Sequence, residues 1–251
     1  MLFGDVTLEQ YVLVAVIAFA AAILGGVTGY GPGLLLPPVL LPIIGPEAVV
    51  PVVSAAGLLI NISRVAAFRS DFDLRNAKLI IFVALPTCVV GAWGYTLLSG
   101  PAVGLLLGSV LVCIVPLRRL LMTRRGHMQT PGLAVAGAGY GLLVGATSGV
   151  GVVLLAILLA AGMHGAGAVA TDAGISVVLT IAKVIVFQTA GAMPLSSWVM
   201  AIVIGVVAAP GAFVAKRLTR NLSHGQHIAI LDGVVILGGL LLIGQSLQML
   251  L

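Results

Sequence analysis

Long apolar runs separated by short polar loops recur along the whole chain. Ten such stretches can be marked, at roughly 11–29, 34–44, 48–68, 79–98, 102–117, 132–148, 152–163, 166–190, 196–215 and 228–249. A helix crossing the hydrocarbon core of a bilayer needs about 20 residues. Most stretches reach or approach that length. The second and seventh hold only 11 and 12 residues, and each follows a glycine-rich break. The pattern predicts an all-α polytopic membrane protein with eight long transmembrane helices and two short, Gly-interrupted ones.

The two breaks stand in register. Gly25, Thr28, Gly29, Gly31, Leu34 and Leu35 have counterparts 120 positions later in Gly145, Ser148, Gly149, Gly151, Leu154 and Leu155. The same offset pairs Ala48 with Ala168 and Gly91 with Gly211. One offset joining break, short helix and later helices predicts a duplicated unit of about five segments. The repeats are expected at 1–120 and 132–251, joined by a basic linker at 121–131.

Charge gives the expected orientation. Ten of the twelve basic residues fall in three loops: Arg69, Arg75 and Lys78 after the third stretch, Arg118, Arg119, Arg124 and Arg125 after the fifth, and Lys216, Arg217 and Arg220 after the ninth. Short basic loops stay cytoplasmic. The third stretch then ends inside while its counterpart, the eighth, ends outside. The halves are therefore expected to be inverted, with both termini outside the cytoplasm of a bacterial-type inner membrane. Asp5 and Glu9 stand where a signal peptide carries basic residues, so the first stretch is read as a retained span.

Composition agrees with a lipid environment. Apolar residues make up 61% of the 251 positions and charged residues 8%, with a mean hydropathy of +1.25. Soluble domains carry about a quarter charged residues. The net charge of +5 raises nucleic acid as a partner, but no basic helix or interleaved aromatic patch supports it. Cys88 and Cys113 lie in apolar segments outside any CxxC or Cys/His cluster, which predicts buried packing and no metal or other cofactor. Trp93, Tyr95 and Trp198, near segment ends, read as interfacial anchors, and Asp232 as a solvated edge of the last basic loop.

The breaks supply the candidate chemistry. The first runs from Gly25 through Thr28, Gly29, Gly31, Pro32 and Gly33 to Pro37; the second holds Thr147, Ser148, Gly149 and Gly151. Broken helices expose amides that must be satisfied in a medium without water. A bound anion can do so, because helix N-termini carry free N–H donors and partial positive charge. The competing reading is glycine serving tight helix packing.

Polar residues then stripe two corresponding helices. The third stretch carries Ser54, Gly57, Asn61 and Arg64, and the eighth carries Asp172, Ser176, Thr180 and Lys183, each set on one helix face. Ionisable groups inside a membrane usually face a cavity or a partner. Arg64 and Lys183 either line such a path or snorkel from near their helix ends. Asp172 either balances Lys183 through intervening groups or serves as a proton-coupling site.

At these breaks the sequence resembles the TauE/SafE family, the sulfite exporter or toluene-sulfonate uptake permease family. The resemblance rests on Gly29-Tyr30-Gly31-Pro32-Gly33, Pro37, Ser54, Phe72-Asp73-Leu74-Arg75 and Gly91-Ala92. It departs from the family at Gly151-Val152-Val153, where a triple glycine is usual, and at Val53, where threonine is common. The resemblance implies an inner-membrane permease for sulfur-containing anions such as sulfite, sulfonates, sulfoacetate or thiosulfate, with Gly29, Gly31, Gly33, Pro37 and Ser54 carried over as site positions.

The expected function is secondary transport of a small anion by alternating access at a midplane site between the repeats, with protons as a candidate coupling ion. A channel would need a continuous polar lining, and the stripes occupy two helices only. An assembly factor would carry a sizeable exposed loop. An enzyme is not expected, since neither HExxH, GxSxG nor a P-loop is present.

Overall fold

In a computed structural model of the protein, residues 6–25, 31–68, 72–122, 128–218 and 224–248 are described. Thr28 and Gly29 of the first break, and Arg69, Arg124, Arg125 and Arg220 of the basic loops, lie outside the described residues. The described residues form twelve helices and no strand: α1 (Leu8–Gly25), α2 (Pro32–Leu35), α3 (Pro37–Ile44), α4 (Pro46–Phe68), α5 (Leu74–Thr96), α6 (Gly100–Met122), α7 (Thr130–Ala146), α8 (Gly151–Ala160), α9 (Gly165–Thr189), α10 (Leu195–Ala208), α11 (Gly211–Leu218) and α12 (His224–Gln248).

Among the described residues, five stretches are long and apolar enough to cross a bilayer: Pro46–Phe68, Leu74–Thr96, Gly100–Leu121, Gly165–Thr189 and Leu195–Ala215. The expected first, sixth and tenth segments form shorter apolar helices over Leu8–Ile23, Thr130–Ala146 and Val235–Gln248. Two expected segments are each divided by proline. The second parts into α2 and α3 before Pro37, and the ninth into α10 and α11 at Ala209-Pro210. Proline has no N–H for the helical ladder and crowds the preceding turn.

Helix starts follow the offset seen in the sequence. α2 begins at Pro32 and α8 at Gly151, α4 at Pro46 and α9 at Gly165, α5 at Leu74 and α10 at Leu195, each pair within one residue of 120 positions. Packing follows the same pairing. α4 lies against α9 and α6 against α12; α5 packs on α7 while α1 packs on α10 and α11; α5 touches α9 while α4 touches α10.

The α5–α7 crossing is built from glycine. On α7, Gly137, Gly141 and Gly145 recur every fourth residue and so share one face. A Cβ at Gly141 would collide with the Ala84 carbonyl, one at Gly145 with the Cys88 carbonyl, and one at Gly91 of α5 with the Leu142 carbonyl. The two backbones are therefore in direct contact. Thr87 adds a hydrogen bond across the crossing, its hydroxyl donating to the Ala138 carbonyl at 2.8 Å. Such contact through small residues is how helices associate where lipid gives no hydrophobic drive.

α7 and α8 form a hairpin that turns inside the protein. At 1.5 Å per residue the 17 residues of α7 reach roughly 25 Å, short of a core about 30 Å thick. The chain then doubles back, and the Met128 amide donates to the Ala160 carbonyl at 3.1 Å, closing the base of the hairpin. The turn at its tip is the second glycine break.

Several side chains take roles other than those expected. Tyr95 is buried, its hydroxyl donating to the carbonyls of Pro46 at 3.0 Å and Glu47 at 3.2 Å. Pro51 explains this: it cannot donate to the Glu47 carbonyl four residues back, so the phenol does. Asp232 is also buried rather than solvated. It accepts two bonds from Arg118, at 3.0 and 2.9 Å, and one from Arg119 at 3.0 Å, tying α6 to α12. Cys88 is buried as expected, but Cys113 faces outward on α6. An all-apolar helix does not mark its inner face, because lipid and protein interior are equally apolar.

Candidate functional site

The two breaks meet. Gly149 adopts φ +79°, a conformation that favours glycine, and a Cβ there would strike the Gly33 carbonyl and the Leu34 amide. Ser148 donates its hydroxyl to the Gly33 carbonyl at 3.1 Å. That carbonyl is available for a local reason. Its helical donor would be the amide four residues on, and that residue is Pro37. Pro37 is buried at the first position of α3 and is not in the wall of the adjoining cavity; its part is to leave Gly33 open.

Beside this junction lies a partly open cavity of about 120 Å³, lined in large part by the middle of α4 and α9. Roughly 10–15 Å³ by this measure admits one water, so a small polyatomic anion fits with some water to spare. The breaks contribute Gly31, Gly33, Ser148, Gly149 and Gly151 to its wall. α4 contributes Ser54, Asn61 and Arg64, and α9 contributes Thr180 and Lys183. Residues drawn from both breaks and both polar stripes thus share one space.

The cations of this wall are held differently. Arg64 is 8% exposed and Lys183 3%, so both side chains lie inside the protein. Arg64 Nη1 donates to Asn61 Oδ1 at 3.1 Å, which fixes the guanidinium within its own helix. Its Nη2 stands 2.8 Å from Asp172 Oδ2 across the α4–α9 contact. The contact is an ion pair without hydrogen-bond alignment, leaving Arg64 Nε, Nη2 and both Asp172 oxygens without a hydrogen-bond partner among the described residues. Buried polar atoms in that condition mark a place for water or an ion. Lys183 instead donates to the carbonyls of Val144, at 2.6 Å, and Thr147. Those are open carbonyls at the end of α7, where helices favour positive charge. Asp172 therefore balances Arg64 rather than Lys183.

Two expected ligands give their hydroxyl protons to their own helix. The Thr147 hydroxyl donates to the Leu143 carbonyl at 2.7 Å and the residue is fully buried outside the cavity wall. Ser54 lines the cavity, but its proton is held by the Val50 carbonyl at 2.5 Å, so it faces a ligand as an acceptor. Asp172 sits behind Arg64 and is fully buried, outside the wall.

Tyr140 and Ser176 join the wall although neither is among the expected ligands. Ser176 belongs to the α9 stripe and is legible there. Tyr140 carries a weaker signal: it lies deep within α7, away from the segment ends where membrane tyrosines gather.

Phe72-Asp73 links the end of α4 to this region. Asp73 caps α5, accepting from the amides of Arg75 at 2.9 Å and Asn76 at 3.1 Å. Its own amide donates to Thr171 Oγ1 at 2.9 Å, beside Asp172, and the Phe72 ring lies against Gly174. The Asn76 amide, joined by the Asn76 side chain and by Arg75, holds the Asp73 carboxyl below the ordinary aspartate range despite some desolvation.

No curated protein and no solved structure matches the chain. The profile of the family described as "Sulfite exporter TauE/SafE" matches residues 14–242, nearly the full length and both breaks. The chain belongs to the TauE/SafE sulfite exporter family, whose members are membrane transporters.

Proposed function

We propose that the protein is a secondary transporter that exports a small sulfur-containing anion: sulfite, a sulfonate such as sulfoacetate, or thiosulfate. Transport is by alternating access at a midplane site between two inverted repeats, 1–120 and 132–251, with both chain termini outside the cytoplasm. The direction is that of the family's description. The repeat reading is supported by helix starts spaced about 120 residues apart and by the paired packing of α5 on α7 and α1 on α10.

The observation that carries the proposal is the cavity at the joined breaks, whose described wall holds two buried cations and no carboxylate. Oxyanions accept charge-assisted hydrogen bonds from guanidinium and ammonium groups, and from hydroxyls and amides at close range. Arg64 lines the cavity and its Nε has no partner among the described residues, so it is the primary anion ligand; Lys183, held by two carbonyls, adds field. Gly149 and Gly33 keep backbone close to the ligand space. Asp172, touching Arg64, is the proton-coupling group.

Counterflow in proteoliposomes tests this. Vesicles loaded with unlabelled sulfite should accumulate labelled sulfite with the wild type and not with Arg64→Ala. Undiminished counterflow in Arg64→Ala moves the site away from this cavity, and no counterflow of sulfite, sulfoacetate or thiosulfate by folded wild type ends the transport assignment.

A further inference from the structure

We infer that Asp172 selects the charge of the anion: ionised, it matches the cavity to a monoanion, and protonated, to a dianion, so that one proton accompanies each dianion. The inference rests on the anion site proposed above.

The charges are few enough to count. Among the described residues, the cavity wall holds two charged side chains, Arg64 and Lys183. Asp172 is not in the wall; it stands behind Arg64, 2.8 Å from Nη2. The three together carry (+2) + (−1) = +1 with Asp172 ionised, and +2 with it protonated. A net charge enclosed in a low-dielectric interior is expensive. Neutrality on loading therefore asks for a monoanion in the first state and a dianion in the second. Either way the protein carries the same net charge through its occluded form.

The surroundings leave Asp172 as the group that switches. Around it stand Arg64 from α4 and Tyr140 from α7, with Cys88 of α5 beside Tyr140; Lys183 lies about three turns further along α9, and the segment before α5 adds Asp73 through Thr171. Tyrosine and cysteine are ordinarily neutral near pH 7 and arginine always charged. Lys183 is fixed by the Val144 and Thr147 carbonyls. The Asp73 carboxylate is satisfied by its own helix start. Among the described residues Arg64 is the cation in contact with Asp172, so a proton on the carboxyl removes the charge that holds Nη2 and releases Arg64 toward the cavity. Asp172 thus acts through Arg64 as a positioning residue.

Binding to the purified protein, followed by calorimetry from acidic to neutral buffer, distinguishes the states. Methanesulfonate is a monoanion and sulfate a dianion throughout that range. The wild type should bind methanesulfonate best in the neutral buffer and sulfate best in the acidic one, sulfate affinity falling by up to roughly tenfold per pH unit, the slope for uptake of one proton. Asp172→Asn should hold sulfate tightly at every pH and lose methanesulfonate affinity, while Asp172→Glu keeps the wild-type pattern. Wild-type affinities for the two anions that run parallel in pH would overturn the inference, whatever the variants do. An Asp172→Asn protein that keeps the wild-type sulfate slope also overturns it. Binding of neither anion by folded protein at any pH sinks the anion site itself, a separate result from parallel binding of both.

Discussion

Ser148 donates its hydroxyl to the carbonyl of Gly33, 3.1 Å away and 115 residues earlier in the chain. The bond exists because Pro37 cannot use that carbonyl, so one proline in the first half creates the acceptor for a serine in the second. Ser148→Ala should therefore remove the partner of a half-buried acceptor and lower thermal stability in detergent by about 0.5–1.5 kcal/mol. Pro37→Ala restores an amide in reach of Gly33. The double variant Ser148→Ala/Pro37→Ala should be more stable than the sum of the single losses implies. Additive losses would mean the Gly33 carbonyl finds another donor.

Arg64 and Asp172 are predicted to separate stability from transport. Arg64→Ala leaves a buried carboxylate alone and should cost about 3–5 kcal/mol. Adding Asp172→Asn removes that charge and should recover most of the melting temperature without recovering sulfite counterflow. A double variant that transports would show that Arg64 serves the fold alone.

Gly149→Ala is expected to be severe. The position combines φ +79° with contact to the Gly33 backbone, and overpacking alone typically costs about 1–3 kcal/mol. The variant should fail to yield monodisperse protein or should melt far below wild type. Gly31→Ala, where a Cβ meets open space, is the control and should fold normally.

Asp73 gives a pH dependence outside the spans. Its carboxyl is held low in the folded protein, so its contribution is present above the ordinary aspartate value of about 3.9 and is lost as pH falls below it. Asp73→Ala should destabilise by about 0.5–2 kcal/mol at neutral pH. The difference from wild type should close in strong acid. A constant difference across that range would assign the loss to packing of the α4–α5 segment instead.

Much of the architecture is legible in the amino-acid sequence. Helical spans follow from apolar length, and the breaks from glycine runs in register. The spacing of Ser54, Asn61 and Arg64 on one helix and of Thr180 and Lys183 on the other assigns each set to one face, and these residues line one cavity in the structure. Partner choice is not legible. Asp172 and Lys183 share a helix face and opposite charge, yet the α4–α9 crossing brings Arg64 nearer to Asp172, and helix crossings are not written in one-dimensional spacing. Nor does the sequence tell that Thr147 turns its hydroxyl back to Leu143, or that Cys113 faces outward and Tyr95 inward. In a chain this apolar, the periodicity that separates inside from outside in soluble helices is erased.

The glycine crossing of α5 and α7 bears on how such a molecule can move. Where backbone lies on backbone at Gly91, Gly141 and Gly145, no side chain is left to slide or repack, so the two helices must travel as one piece. Gly211 meets Ala22 in the same close manner, which couples α11 to α1. Each coupled pair takes one helix from the front of the chain and one from the back. Under the alternating access proposed above, the parts expected to rock against each other are then not the first and second halves of the chain but two exchanged assemblies, each carrying helices of both.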